Sequence, residues 1–213
     1  QLLTHMTKIN KGDWKIIKPN QLRSSVIPSP LVLLKTTEVS TQNIMEHLEL
    51  MVSKQSRRSG ALGNRETTNY IEGFLKNLNY QTTKNCFSPG LCNIWGVIPG
   101  EIDEYVLIEA HLDDVGQPQA GADDNASGTA ALLELARLLS TQQYKRGIII
   151  FATNGEESGL LGSKTFVQEA ERSGLLSKIK FFINMDMISW NENGIVDIET
   201  DRQFESHARW MST

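Results

Sequence analysis

The stretch 147–153, Gly-Ile-Ile-Ile-Phe-Ala-Thr, constrains this chain more than any other. Four consecutive large apolar side chains, Ile148 to Phe151, leave no polar face, so a strand built from them must be covered on both sides. Two more strands are expected at 105–110 and 179–185. Helical spacing of apolar residues at 126–140 and 160–170 separates the three. Alternation of this kind implies parallel strands joined by crossover helices. The expected fold is α/β, a three-layer sandwich with a mixed, mostly parallel sheet and helices on both faces.

The remaining chain fills in around that core. A helix is expected at 41–53, where Ile44, Met45, Leu48 and Met51 recur at helical spacing, and a loop at 57–63. Asn64 is placed to cap a second helix with Tyr70, Ile71, Phe74, Leu75 and Leu78 on one face. Strands are expected at 93–98 and 195–199, and a final helix at 203–210. Residues 1–35 show no clear periodicity and carry Pro19, Pro28 and Pro30, so the segment 1–40 reads as a leader or an upstream remnant. Up to residue 30 that segment holds Lys8, Lys11, Lys15, Lys18 and Arg23 against Asp13 alone, spread out as on a solvated arm.

Some function classes drop out. The net charge of −4 argues against a nucleic-acid partner. No apolar run approaches the roughly 18 residues of a membrane span. Cys86 and Cys92 flank a Ser-Pro-Gly turn signal, which allows them to bridge or to remain thiols. A bridge would place the protein in an oxidising compartment.

Ligands of open α/β sheets gather beyond the carboxyl ends of the strands. Here the first core strand runs into His111-Leu112-Asp113, the second into Glu156-Glu157 and the third into Asp186. Between the first two lies Gly121-Ala122-Asp123-Asp124-Asn125-Ala126-Ser127-Gly128, a tight acidic turn at a helix start. Taken singly, each piece has an ordinary explanation as a surface pair, a cap or a solvated face. Their conjunction on one sheet edge is a donor set for divalent metal, with enough carboxylate for two ions sharing a ligand. His111 and Asp113, two apart on a strand, face the same side, so Asp113 can accept the second ring N–H of His111. Glu156 and Glu157 point apart, so one can bind metal while the other takes a proton from water.

The segments Glu-Ala-His-Leu-Asp-Asp, Gly-Ala-Asp-Asp-Asn-Ala-Ser-Gly, Asn-Gly-Glu-Glu-Ser-Gly-Leu-Leu-Gly-Ser and Asn-Met-Asp-Met-Ile resemble the co-catalytic di-zinc aminopeptidase family. That family also holds glutamate carboxypeptidases and glutaminyl cyclases. The resemblance runs from about residue 41 to the end and implies the zinc exopeptidase fold. It implies that His111, Asp124 and Asp186 hold one zinc, with Asp124 bridging to a second zinc bound by Glu157. It further implies Glu156 as general base and Asp113 as the residue that orients His111. Two Zn2+ ions per full-length domain, a peptide substrate and a secreted or periplasmic parent follow as expectations.

One departure qualifies the resemblance. The family's second zinc takes a further histidine from a loop well beyond the Asp186 strand, yet only 27 residues follow Asp186. His207 falls in an expected surface helix and is a poor candidate. Residues 41–213 are therefore expected to form a zinc peptidase domain incomplete at its C-terminus, binding metal incompletely and hydrolysing peptides poorly or not at all. Two alternatives stay open: a single-zinc glutaminyl cyclase, and a binding relative without catalysis. Residue preference and oligomeric state are not fixed by the sequence.

Overall fold

In the computed structural model the apolar run becomes β5 (Arg146–Thr153), the middle strand of five. The structure describes residues 15–16, 39–54, 56–116, 121–190, 197–200 and 205–211. The main sheet also contains β2 (Gln81–Ser88), β3 (Leu91–Ile98), β4 (Ile102–His111) and β6 (Ile179–Asn184), in the order β2-β3-β5-β4-β6. β4 pairs in parallel with both β5 and β6, whereas β3 runs antiparallel to β2 and β5. Four of the five strands thus point the same way, and the sheet is mixed and mostly parallel, as expected. A two-residue β1 (Lys15–Ile16) pairs antiparallel with β7 (Glu199–Thr200).

Alternation along the strands feeds two cores. Val106, Ile108 and Ala110 of β4 and Ile148, Ile150 and Ala152 of β5 face one side. There they pack under Ile71 and Leu75 of α2 (Leu62–Asn77) and Leu132, Leu133 and Ala136 of α3 (Gly128–Leu139). Leu107, Ile149 and Phe151 face the other side, against Phe166, Val167 and Ala170 of α4 (Leu161–Arg172). Phe151 and Phe166 have ring centroids 4.2 Å apart, and Trp95 meets both edge-on. Burying side chains of this size stabilises by about 1.5–3 kcal/mol each. With helices on both faces, this is the expected three-layer arrangement. α1 (Thr41–Val52) starts at Ser40, whose hydroxyl accepts the Asn43 N–H at 3.1 Å, and it packs Met51 against Ala126 and Ala130. The last described helix is α5 (Glu205–Met211).

Some local expectations need correction. Asn64 does not cap α2, which begins two residues earlier behind Ala61. Its amide is buried in the first turn, donating to the Arg57 carbonyl at 2.7 Å and exchanging hydrogen bonds with Asn154. β2 had no counterpart in the sequence reading. It is an edge strand whose residues are exposed or half-buried, so it carries no apolar signal. It pairs with β3 so that Cys86 lies opposite Cys92, and the two form a disulfide. The expected leader, 1–40, lies outside the described residues except for Lys15, Ile16, Val39 and Ser40. The same holds for positions 195–196 of the expected strand and 203–204 of the expected helix.

β4 is followed by α3 and β5 on one side, and β5 by α4 and β6 on the other. The two crossovers use opposite faces of the sheet, so a crevice opens at the carboxyl ends of β4 and β6.

Candidate metal centre

His111 is the last residue of β4 and is only 2% exposed. Its Nε2 stands 3.1 Å from Asp124 Oδ1 and 3.4 Å from Asp186 Oδ1. Asp186 lies two residues past β6, and Asp124 lies in the turn Ala122–Ser127 that precedes α3. Donor atoms of the three side chains all lie within 4.8 Å of one another. The crevice therefore gathers three residues that are far apart in sequence.

Local chemistry explains how each arrives. Gly121 opens the acidic turn at φ +56°, a left-handed conformation that a side chain would disfavour, and a Cβ there would press on Asp114. The main chain then leaves helical angles at Asp124 and Asn125, with a cis peptide bond between them. Gly128 lets α3 start against the Met185 carbonyl, where a Cβ would collide. Side chains on either side of Asp124 then grip the segment that carries Asp186. Asn125 donates to the Met185 carbonyl at 2.9 Å. Asp123 Oδ1 accepts the N–H groups of Ser189 and Trp190 and the Ser189 hydroxyl. The Ser127 hydroxyl accepts the Ile188 N–H at 3.1 Å.

Asp113 is fully buried, but its place differs from a simple strand alternation because β4 ends at His111. Nδ1 of His111 is 3.2 Å from the Asp113 main-chain oxygen and 3.6 Å from its carboxylate. The Asp113 carboxylate accepts the main-chain N–H groups of Glu156 and Glu157 at 3.1 and 3.2 Å. It therefore holds the Glu156–Glu157 turn beside the histidine. Asn154 braces that turn from behind, donating to the Asn64 side chain and to the Cys92 carbonyl.

Glu156 and Glu157 are both half-buried. Glu156 joins Glu109, His111 and Asp186 around a cavity of about 20 Å³, room for a single water. Glu157 stands outside the close trio, and its buried Oε1 has no hydrogen-bond partner among the described residues. His207 lies on α5, and its side chain is outside the described residues.

The electrostatics call for positive charge. Burial opposes the His111 imidazolium, yet the carboxylates of Asp113, Asp124 and Asp186 push its pKa up to about 12. Burial and the nearby Asp124 charge raise Glu157 to about 7. Burial first, then Asp113, Asp186 and Asp124, raise Glu156 as well. The orphaned Glu157 oxygen and the crowded carboxylates fit a divalent cation better than a protonated imidazole, because a cation satisfies both.

Three nearby residues escaped the sequence reading. Glu109 lies two before His111 on the same strand face, buried, with its carboxylate held by the Thr153 hydroxyl; alternation counted back from His111 is the signal for it. Arg57 and Asn154 carried no local signal, since their partners are remote in sequence.

Residues 93–212 match peptidase family M28. A probable leucine aminopeptidase of Arthroderma otae is 36% identical over 124 residues, 51% of this chain and 33% of that protein. A probable zinc metalloprotease of Pyrenophora tritici-repentis is 29% identical over 185 residues, 80% of this chain and 36% of that protein. The chain thus spans about a third to a half of the length of such relatives. Among solved structures, a leucine aminopeptidase precursor from Bacteroides thetaiotaomicron superposes with a TM-score of 0.63 at 25% identity, covering 74% of this chain and 65% of that one. The Porphyromonas gingivalis glutaminyl cyclase gives 0.57 at 25% identity, covering 71% and 60%. The match spans more than half of the residues and takes in the whole donor set, so the chain belongs to peptidase family M28.

Proposed function

We propose that this chain carries the metal centre of a zinc-dependent aminopeptidase that removes N-terminal residues from peptides. The observation that carries the reading is the trio of His111, Asp124 and Asp186 set beside the orphaned oxygen of Glu157. His111, Asp124 and Asp186 would hold one ion, and Glu157 would serve a second through the shared Asp124. Zinc bound there would supply Lewis acidity, polarising the scissile carbonyl and acidifying water.

The chain's own groups supply the rest. Burial and neighbouring charges raise the proton affinity of the Glu156 carboxylate, which suits it to take a proton from the attacking water. The same carboxylate then returns the proton to the leaving amine. Asp113 fixes where Glu156 stands through the main-chain N–H, and its main-chain oxygen sets the orientation of the His111 ring. The Cys86–Cys92 bridge supports a secreted or periplasmic setting, where disulfides persist.

Likeness to a solved glutaminyl cyclase supports a second reading, cyclisation of N-terminal Gln on the same scaffold. A panel of amino-acid p-nitroanilides run beside a Gln-peptide cyclisation assay separates the two, with zinc content measured on the same preparation. Hydrolysis of the anilides with bound zinc is expected of the full-length protein, which would supply the remaining zinc-ligand histidine. Cyclisation without hydrolysis favours the cyclase, and a protein without stoichiometric zinc would be a binding relative.

A further inference from the structure

Arg57 is 1% exposed, the largest fully buried side chain among the described residues, and it belongs to none of the chemistry above. A guanidinium is seldom buried without a full set of partners. Its Nε donates to the Leu112 carbonyl at 3.0 Å, and its Nη2 to the Gly121 carbonyl at 2.8 Å. Nη1 reaches the Met51 carbonyl at 3.4 Å and lies 3.6 Å from Asp114 Oδ2. The same Asp114 oxygen accepts the Arg57 main-chain N–H at 2.9 Å.

The two closest carbonyls tell what this fork does. Leu112 directly follows His111, and Gly121 opens the turn that carries Asp124. The strand end and the turn share no strand pairing. One planar group spans both, and α1 as well through Met51. Asp114, itself fully buried, balances the guanidinium charge, so what the fork contributes is spacing.

We propose that Arg57 is a positioning residue for the metal centre, with Asp114 as its brace. The fork sets the separation of His111 and Asp124, and through it the affinity for a divalent cation. This rests on the metal reading given above. A lysine keeps the charge but offers a compact ammonium in place of a rigid planar fork, so it cannot hold both carbonyls at the same fixed spacing.

The experiment measures Zn2+ affinity by competition with a chromophoric chelator, and the visible spectrum of the Co2+-loaded protein. It compares the parent protein with Arg57→Lys, Asp114→Asn and the remote core variant Leu75→Ala, alongside melting temperatures. Loss of a residue that orients metal ligands lowers affinity by about 10- to 100-fold. Arg57→Lys is expected in that range with a displaced cobalt spectrum. Asp114→Asn, which keeps the fork and loses the balancing charge, is expected near the low end. Leu75→Ala should melt earlier with affinity and spectrum intact. If Arg57→Lys does not fold, Asp114→Asn decides by the same criterion. Zinc affinities within twofold of the parent overturn the proposal, as does a loss that only tracks melting temperature across all three variants. A parent protein without stoichiometric zinc overturns the metal reading itself, which is a separate and recognisable failure.

Discussion

The Asp113 carboxylate accepts the main-chain N–H of Glu156 at 3.1 Å, from 43 residues earlier in the chain. Its other oxygen takes the Glu157 N–H at 3.2 Å. One buried side chain thus sets the position of both glutamates relative to His111. Asp113→Asn keeps only one acceptor and turns an NH2 group toward the second N–H. Turnover should fall by about 10- to 100-fold, the usual cost of disturbing a residue that orients ligands. Zinc titration beside steady-state kinetics of the full-length protein checks this, and an unchanged kcat would dismiss the role.

Glu156→Gln removes the proton acceptor while conserving shape. General-base loss costs about 10²- to 10⁴-fold in rate. Bound zinc should stay at the parent level, since Glu156 is outside the trio that defines the metal site. Anilide hydrolysis and metal analysis on one sample of the full-length protein provide the measurement. Retained activity in this variant refutes the assigned role.

Asp123 Oδ1 accepts three donors from Ser189 and Trp190. Asp123→Ala leaves these donors without that partner and frees the segment that follows Asp186. Because the donors are exposed and water can replace the carboxylate, a loss of about 0.5–1.5 kcal/mol in unfolding free energy is expected. Amide exchange at Ser189 and Trp190 should speed up while the β5 amides stay protected. Unaltered exchange at those two positions counts against the clamp.

Glu134 gives the fold a pH dependence away from the metal centre. Burial opposes its charge, but Arg137, the Ser40 N–H and the Asn43 amide prevail and hold its pKa at about 2. The folded value is depressed, so its contribution is complete above the ordinary carboxylate pKa of 4.5 and is lost as pH falls toward 2. Glu134→Gln should destabilise by about 1–3 kcal/mol at pH 7. Urea midpoints should converge with the parent's as pH drops from 4.5 to 2. A gap that stays constant over that window would falsify the linkage.

The sheet was legible because an unbroken apolar run such as Ile148 to Phe151 admits few solutions. The crevice was legible for a related reason. His111 ends a core strand, Glu156 and Asp186 sit just past two others, and a glycine-flanked acidic turn leaves little room for anything but a close approach. Arg57 looked like loop charge because its acceptors lie at Leu112 and Gly121, and no local pattern announces a carbonyl 55 residues away. β2 was missed because an edge strand of polar residues resembles a loop. Asn64 fitted a capping pattern, yet tertiary hydrogen bonds to Arg57 and Asn154 claimed its amide instead.

The strand order carries a consequence for synthesis. β3 finds its sheet partner in β5 and not in β4, which follows it directly. A growing chain therefore completes the β2–β3 hairpin well before the strand that covers its inner edge exists. About 50 residues must still be made, some 3–10 s at ordinary elongation rates. During that interval Trp95 lacks Phe151 and Phe166, the rings it meets in the folded chain. The Cys86–Cys92 bridge falls wholly inside this early hairpin, so oxidation can pin its register before the neighbour arrives.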